Sequence, residues 1–111
     1  MQFINDNGIY KVARITGPQH NLLAIRLSEQ SENIEIVSLP IKGNETINVD
    51  KQDVLKQVNA GLNSINEKLG KEYFISEIQY VPSDSNTPKV YEFLIKELIK
   101  RIDNKGEFIS V

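Results

Sequence analysis

Cysteine is absent from this chain of 111 residues, and histidine occurs once, at position 20. The absence of cysteine excludes disulfides, thiolate metal sites and a cysteine nucleophile. Residues 5–8 resemble a fragment of a calcium loop, but the closing glutamate is missing, and a hairpin turn explains them better. The sequence therefore predicts no metal site, no cofactor and no catalytic residues.

Several targeting and binding signals are also missing. The N-terminus has no basic region leading into an apolar stretch, which argues against a signal peptide. No apolar run approaches the roughly 20 residues that span a bilayer. The net charge of −2 argues against a nucleic-acid partner, because phosphate contacts need a basic face. We expect a cytoplasmic protein with neither a membrane nor a nucleic-acid partner.

The composition is that of an ordinary globular domain. Hydrophobic residues make up 40% and charged residues 25% of the chain, and this length is sufficient for one core. We find no internal repeat, linker or low-complexity tract. The sequence predicts a single domain over residues 1–111.

The first half has the alternation and turn residues of a β-meander. Asn7-Gly8 is a hairpin signal, and the turn at residues 17–21 contains glycine and proline. The predicted strands lie around Phe3 and at residues 9–16, 22–28 and 34–39, with a further short extended piece at 47–49.

The second half predicts a helix, a strand and a second helix. Asp50 caps a helix over residues 51–69, which Gly70 ends. A strand follows at 73–81, and Thr87 is the expected N-cap of a last helix that begins at Pro88 and carries an apolar stripe to Ile102. Residues 108–111 can add an edge strand. The predicted fold is α+β, an antiparallel meander followed by helix–strand–helix, with both helices mainly on one face of a curved sheet.

Gly61 interrupts the first predicted helix at a cost of about 1 kcal/mol relative to alanine. Two explanations stay open: the glycine lets the helix approach the sheet closely, or it is tolerated on an exposed face.

Two features indicate a protein partner. From Ser28 to Asp50 the chain has five carboxylates against one lysine, and its glutamates are candidate contacts for a basic partner: Glu29, Glu32, Glu35 and Glu45. Phe93 falls opposite the apolar stripe of the last helix, so it is either buried by a second face or part of an interface, including that of a homodimer.

A small-molecule or enzymatic site is the alternative. The junction at residues 80–87 carries hydroxyl groups and Asp84, and the fold can bring His20 and Tyr80 near them. His20 has no nucleophile or orienting carboxylate in its own loop, so the pattern favours an exposed turn residue over a catalytic one.

The segments from Gly61 to Asp84 and from Tyr91 to Ile99 resemble small α+β immunity proteins of bacterial toxin–immunity systems. The resemblance covers about half of the chain as a general pattern. It implies tight, non-enzymatic binding of a cognate toxin domain in the producing cell, and it assigns no individual residue. The expected function is thus a protein-binding module, with an immunity protein as the specific interpretation.

Overall fold

The computed structural model describes all 111 residues as one mixed sheet with two helices. The strands are β1 (Gln2–Asp6), β2 (Ile9–Thr16), β3 (Gln19–Ser28), β4 (Glu35–Ser38), β5 (Phe74–Tyr80) and β6 (Ile109–Ser110), and the helices are α1 (Lys51–Leu69) and α2 (Val90–Asp103). The predicted α+β class is confirmed. Neither helix is long and apolar enough to cross a membrane.

The sheet order is β4-β5-β3-β2-β1-β6. β1, β2 and β3 form the predicted antiparallel meander, joined by turns at Asn7-Gly8 and Gly17-Pro18. β4 does not continue it, because β5 pairs antiparallel with β3 and takes that place, and β4 pairs parallel with β5 at the edge. The predicted meander therefore ends at β3, and the strand expected at 34–39 lies outside it. The expected C-terminal strand forms as β6, parallel to β1.

Both helices pack on one face of the sheet. Val12, Leu23, Ile25 and Ile78 from the strands are fully buried together with Leu94 and Leu98 of α2. One irregularity in the β3–β5 register leaves Ser76 without a paired residue on β3. Ile75 and Ile78 are both buried, although residues three apart on a regular strand point to opposite faces. A bulge of this kind restores the inward direction of the next side chains.

The ends of α1 follow local chemistry. The Asp50 carboxylate accepts hydrogen bonds from the Gln52 and Asp53 amides at 3.1 and 3.2 Å, and Gly70 closes the helix with a φ of 66°. These are the cap and stop that the sequence predicted. A capping aspartate contributes on the order of 1 kcal/mol.

The start of α2 differs from the prediction. The helix begins at Val90 after Lys89, whose φ is 58°, and Thr87 provides no side-chain cap. Instead, the Tyr91 amide donates to the Gln57 side chain of α1 at 3.0 Å. A tertiary contact therefore replaces the local cap. The short extended piece expected at 47–49 is also absent, since those residues form a loop.

Gly61 lies where α1 crosses α2. A β-carbon built at this position would lie 2.3 Å from Cγ2 of Ile95 and 2.6 Å from the backbone oxygen of Glu92. Gly61 is buried, so the exposed-face explanation is wrong. The close approach is real, but the partner is the second helix and not the sheet.

Candidate functional site

A groove of about 680 Å³ lies between the second half of α1, the loop before β4 and the start of β5. Its apolar surface comes from Ile34, Leu62, Phe74 and Ile75, with the ring of Tyr73 beside them. Leu62 and Ile75 belong to the core, and Ile34 and Tyr73 pack against it, which explains why these four residues meet here. The volume falls in the range of about 300–1,000 Å³ that is typical of ligand-binding clefts.

The charge of this groove is negative. Glu32, Glu67 and Glu72 line it, and none of these carboxylates forms an ion pair within the chain. Lys71 is the one basic residue in the lining, and its ammonium group lies 2.5 Å from the Asp103 carboxylate. Because Lys71 is already paired with Asp103, the three unpaired carboxylates give the groove a negative electrostatic potential.

Asp103 links the groove to the end of α2. The Tyr73 hydroxyl donates to Oδ1 of Asp103 at 2.8 Å, and Lys71 donates to the same oxygen. The two hydrogen bonds hold the pKa of Asp103 below its usual range, and the bond from Lys71 has the larger effect. This fixes the position of the chain that leads into β5, and so fixes one wall of the groove.

The α1 wall is formed by asparagines. Asn59, Asn63 and Asn66 follow one another at helical spacing and all line the groove. Asn66 forms two hydrogen bonds with the main chain of Tyr73, donating to its carbonyl and accepting from its amide, both at 3.1 Å. The side chains of Asn59 and Asn63 form no hydrogen bond within the chain, so their amides are free to bind a ligand.

The predicted acidic residues separate into two locations. Glu32 lines the groove, and Glu29 and Glu35 flank its loop at the same end of the sheet. Glu35 also lies opposite Glu77 in the β4–β5 pairing, and Glu77 lies opposite Arg26 in the β3–β5 pairing. We call this end, with Glu29, Glu32, Glu35, Glu67, Glu72 and Glu77, the acidic end.

Glu45 lies at the opposite end of the sheet, beyond the last residue of β4. Its carboxylate accepts a hydrogen bond from the Ser83 hydroxyl at 2.5 Å and another from the Lys42 amide at 3.1 Å. These contacts lower the pKa of Glu45, and the hydrogen bond from Ser83 has the largest effect. Glu45 therefore fastens its own loop to the segment after β5 and does not share a surface with Glu32.

No protein-family model, curated protein or solved structure matches this chain.

The junction at residues 80–87 does bring Asp84 to His20. The His20 Nε2 lies 3.6 Å from Oδ1 of Asp84, and the imidazole is 59% exposed whereas the carboxylate side chain is 3% exposed. The other Asp84 oxygen accepts from the Leu22 amide at 2.7 Å. Burial raises the pKa of Asp84, the main influence on this carboxyl.

The contacts of Asp84 describe a structural role. Next to it, the Ser85 amide donates to the His20 carbonyl, and the His20 amide donates to the Ser85 hydroxyl oxygen. The buried Asn21 side chain donates to the Ser85 carbonyl and to the Tyr91 hydroxyl. Together these bonds close the edge of β3 beyond the end of β5. Tyr80 is buried and takes no part in the pair. No group of three or more histidine, aspartate or glutamate side chains is placed to hold a metal ion.

Phe93 lies on the outer face of α2 and is 47% exposed. Helical spacing places Lys89, Lys96 and Lys100 around it, and Lys100 pairs with Glu97 at 3.0 Å. The side chain is therefore not part of the core. Exposure of an aromatic ring favours the interface explanation of the two that the sequence left open.

The groove asparagines are the residues that sequence reasoning missed. Their signal was present, because Asn59, Asn63 and Asn66 repeat at the spacing of one helix face and are poor helix formers. Without the fold, nothing indicated that this face turns toward the acidic loop of Glu32.

Proposed function

We propose that this chain is a non-enzymatic protein-binding module that binds a basic partner at its acidic end, and that this partner is a bacterial toxin domain. The observation that supports the proposal most strongly is the groove itself. It has a volume of about 680 Å³, and it combines apolar side chains with three carboxylates that have no cationic partner in the chain.

Electrostatic complementarity explains what such a surface can do. Unpaired carboxylates at one end of a small domain accelerate the approach of a basic partner and orient it before contact. The apolar side chains of Ile34, Leu62 and Phe74 can then bury an anchor from the partner, which slows dissociation. Fast association and slow dissociation are what an inhibitor of a toxic enzyme needs.

The resemblance to immunity proteins supports a toxin as the partner class and the cytoplasm of the producing cell as the location. A toxin that acts on nucleic acid has a basic active site. The acidic end is complementary to such a site.

The test is capture of the tagged protein from its native cells, followed by kinetics with the isolated partner. We expect Glu32→Lys with Glu67→Lys to lower the association rate constant at least tenfold at low salt and to flatten its salt dependence. Glu107→Lys changes the charge by as much as either substitution alone, at an exposed position outside the groove, and should have little effect. An equal effect of both substitutions would contradict binding at the acidic end, and recovery of the protein alone would contradict the function.

A small-molecule or hydrolytic site at residues 80–87 is the second candidate, favoured by the exposed His20 imidazole beside the buried Asp84. An activated imidazole should hydrolyse p-nitrophenyl acetate faster than an equal concentration of free imidazole, and His20→Ala should abolish the excess. A rate equal to that of free imidazole would eliminate this candidate.

A further inference from the structure

The asparagine face of α1 repeats, without an occupant, an arrangement that the chain already uses on itself. Asn66 binds the main chain of Tyr73 in a two-bond manner, amide nitrogen to carbonyl and amide oxygen to N–H. The bound residue lies in the extended segment that leads into β5. An asparagine side chain offers one donor group and one acceptor in the geometry of a peptide unit, so it substitutes for a neighbouring strand.

Asn63 and Asn59 continue this face toward the start of the helix. Both line the groove, and neither side chain has a hydrogen-bond partner in the chain. Four residues of helix rise about 6 Å, and two residues of extended chain advance about 6.6 Å. The two free amides are therefore spaced to bind alternate residues of one extended polypeptide.

The composition of the helix supports a binding role for these positions. Asparagine is a poorer helix former than alanine, and Asn59 and Asn63 are exposed and contribute no contact to the core. A helix with nothing to bind would gain stability from alanine at both positions. Retention of a locally unfavourable residue is typical of functional surfaces.

We propose that the groove binds an extended, basic polypeptide segment whose main chain hydrogen-bonds to Asn59 and Asn63. This inference rests on the proposed function, since it specifies how the partner engages the acidic end. Alternate side chains of the segment point to opposite sides. One set faces the carboxylates of Glu32, Glu67 and Glu72, and lysine or arginine suits it; the other set faces Leu62 and Ile34, and an aliphatic side chain suits it.

The probe is a capped nine-residue peptide that alternates lysine and valine, titrated into the isotope-labelled protein and followed by its backbone and asparagine side-chain amide signals. Two reference peptides separate the contribution of charge to the affinity from the contribution of main-chain hydrogen bonds. One replaces lysine with glutamate, and the other keeps lysine but carries N-methyl groups on every second residue, which removes those main-chain donors. We expect the basic peptide to shift the side-chain signals of Asn59 and Asn63, the acidic peptide to shift nothing, and the methylated peptide to bind at least fivefold more weakly.

The matching protein variants are Asn59→Ala with Asn63→Ala, and Ser64→Ala as an exposed control on the same helix. We expect the double variant to melt at a higher temperature than the wild type and to bind the basic peptide at least tenfold more weakly. Ser64→Ala should leave the affinity unchanged. Loss of affinity with a gain in thermal stability is an outcome that misfolding cannot produce.

Three results would overturn the inference: no shift of groove signals at millimolar basic peptide, equal binding of the methylated peptide, or equal binding by the double variant. Each is distinguishable from failure of the proposed function. If the native partner is captured and its binding depends on Glu32 and Glu67 but not on Asn59 and Asn63, the module function stands and the extended-chain mode is wrong.

Discussion

Substitution of Gly61 by alanine has two opposing effects on the free energy of unfolding. Helix propensity favours alanine by about 1 kcal/mol in a helix interior. Packing disfavours it, because the new β-carbon would lie 2.3 Å from Cγ2 of Ile95 and 2.6 Å from the Glu92 carbonyl oxygen. The Ile95 methyl belongs to a fully buried, β-branched side chain, which has little freedom to change its rotamer in a helix. The Glu92 oxygen belongs to the α2 backbone, so relief of that contact requires movement of the helix against the sheet.

Overpacking of a close-packed core costs about 1–3 kcal/mol. Contact with a backbone atom belongs at the upper end of this range, so we expect Gly61→Ala to lower the free energy of unfolding by about 2 kcal/mol after the propensity gain of about 1 kcal/mol is subtracted. Urea denaturation gives the value directly. Ser64→Ala, at an exposed position of the same helix, controls for propensity and should raise stability by a few tenths of a kcal/mol. A Gly61→Ala protein more stable than the wild type would refute the close crossing of the helices.

The remaining predictions concern a buried carboxyl, a tertiary cap and an exposed ring. Burial raises the pKa of Asp84, so the folded state binds the Asp84 proton more tightly than the unfolded state does, and stability falls as pH rises from about 4 through the folded-state pKa. In a His20→Gln background, Asp84→Asn should therefore gain stability relative to the protein that keeps Asp84 as pH rises through that interval. A stability difference between the two proteins that does not change with pH would contradict this. Gln57→Leu leaves the Tyr91 amide without its acceptor and should cost about 1–3 kcal/mol in urea denaturation, whereas loss of the exposed Gln52 side chain should cost almost nothing. Phe93→Glu should change the free energy of unfolding by less than about 1 kcal/mol, because the ring is exposed; a loss above about 2 kcal/mol would place Phe93 in the core, and a reduced particle mass in light scattering would identify the surface as a homodimer contact.

Elements set by local chemistry were predictable from the sequence. The bounds of α1 follow from the Asp50 cap, the apolar repeat and the left-handed Gly70, all of which act within a few residues. The β1–β3 meander likewise follows from turns whose residue types restrict the backbone.

Elements set by distant contacts were not predictable. β4 alternates as a strand should, but alternation does not specify a neighbour, and its partner β5 follows only after the whole of α1. Thr87 is a suitable capping residue by type, yet Gln57 from the other helix bonds to the start of α2. Local propensity yields to tertiary contacts in both cases.

The candidate site shows the same division. The excess of glutamate between Ser28 and Asp50 was visible, but chain proximity placed Glu45 with Glu32, and the fold puts them at opposite ends of the sheet. The fold also adds Glu67 and Glu72, which are distant in sequence from Glu32 and line the same groove. A surface assembled from three separate segments has no linear motif.

Hydrogen–deuterium exchange of the complex with the captured partner tests the central claim most directly. Binding in the groove predicts slower exchange in residues 31–34, in the second half of α1 and in residues 70–75. The outer face of α2 around Phe93 and the hairpin at His20 should exchange as in the free protein. Protection confined to either of those two surfaces, with the groove unchanged, would contradict binding at the acidic end.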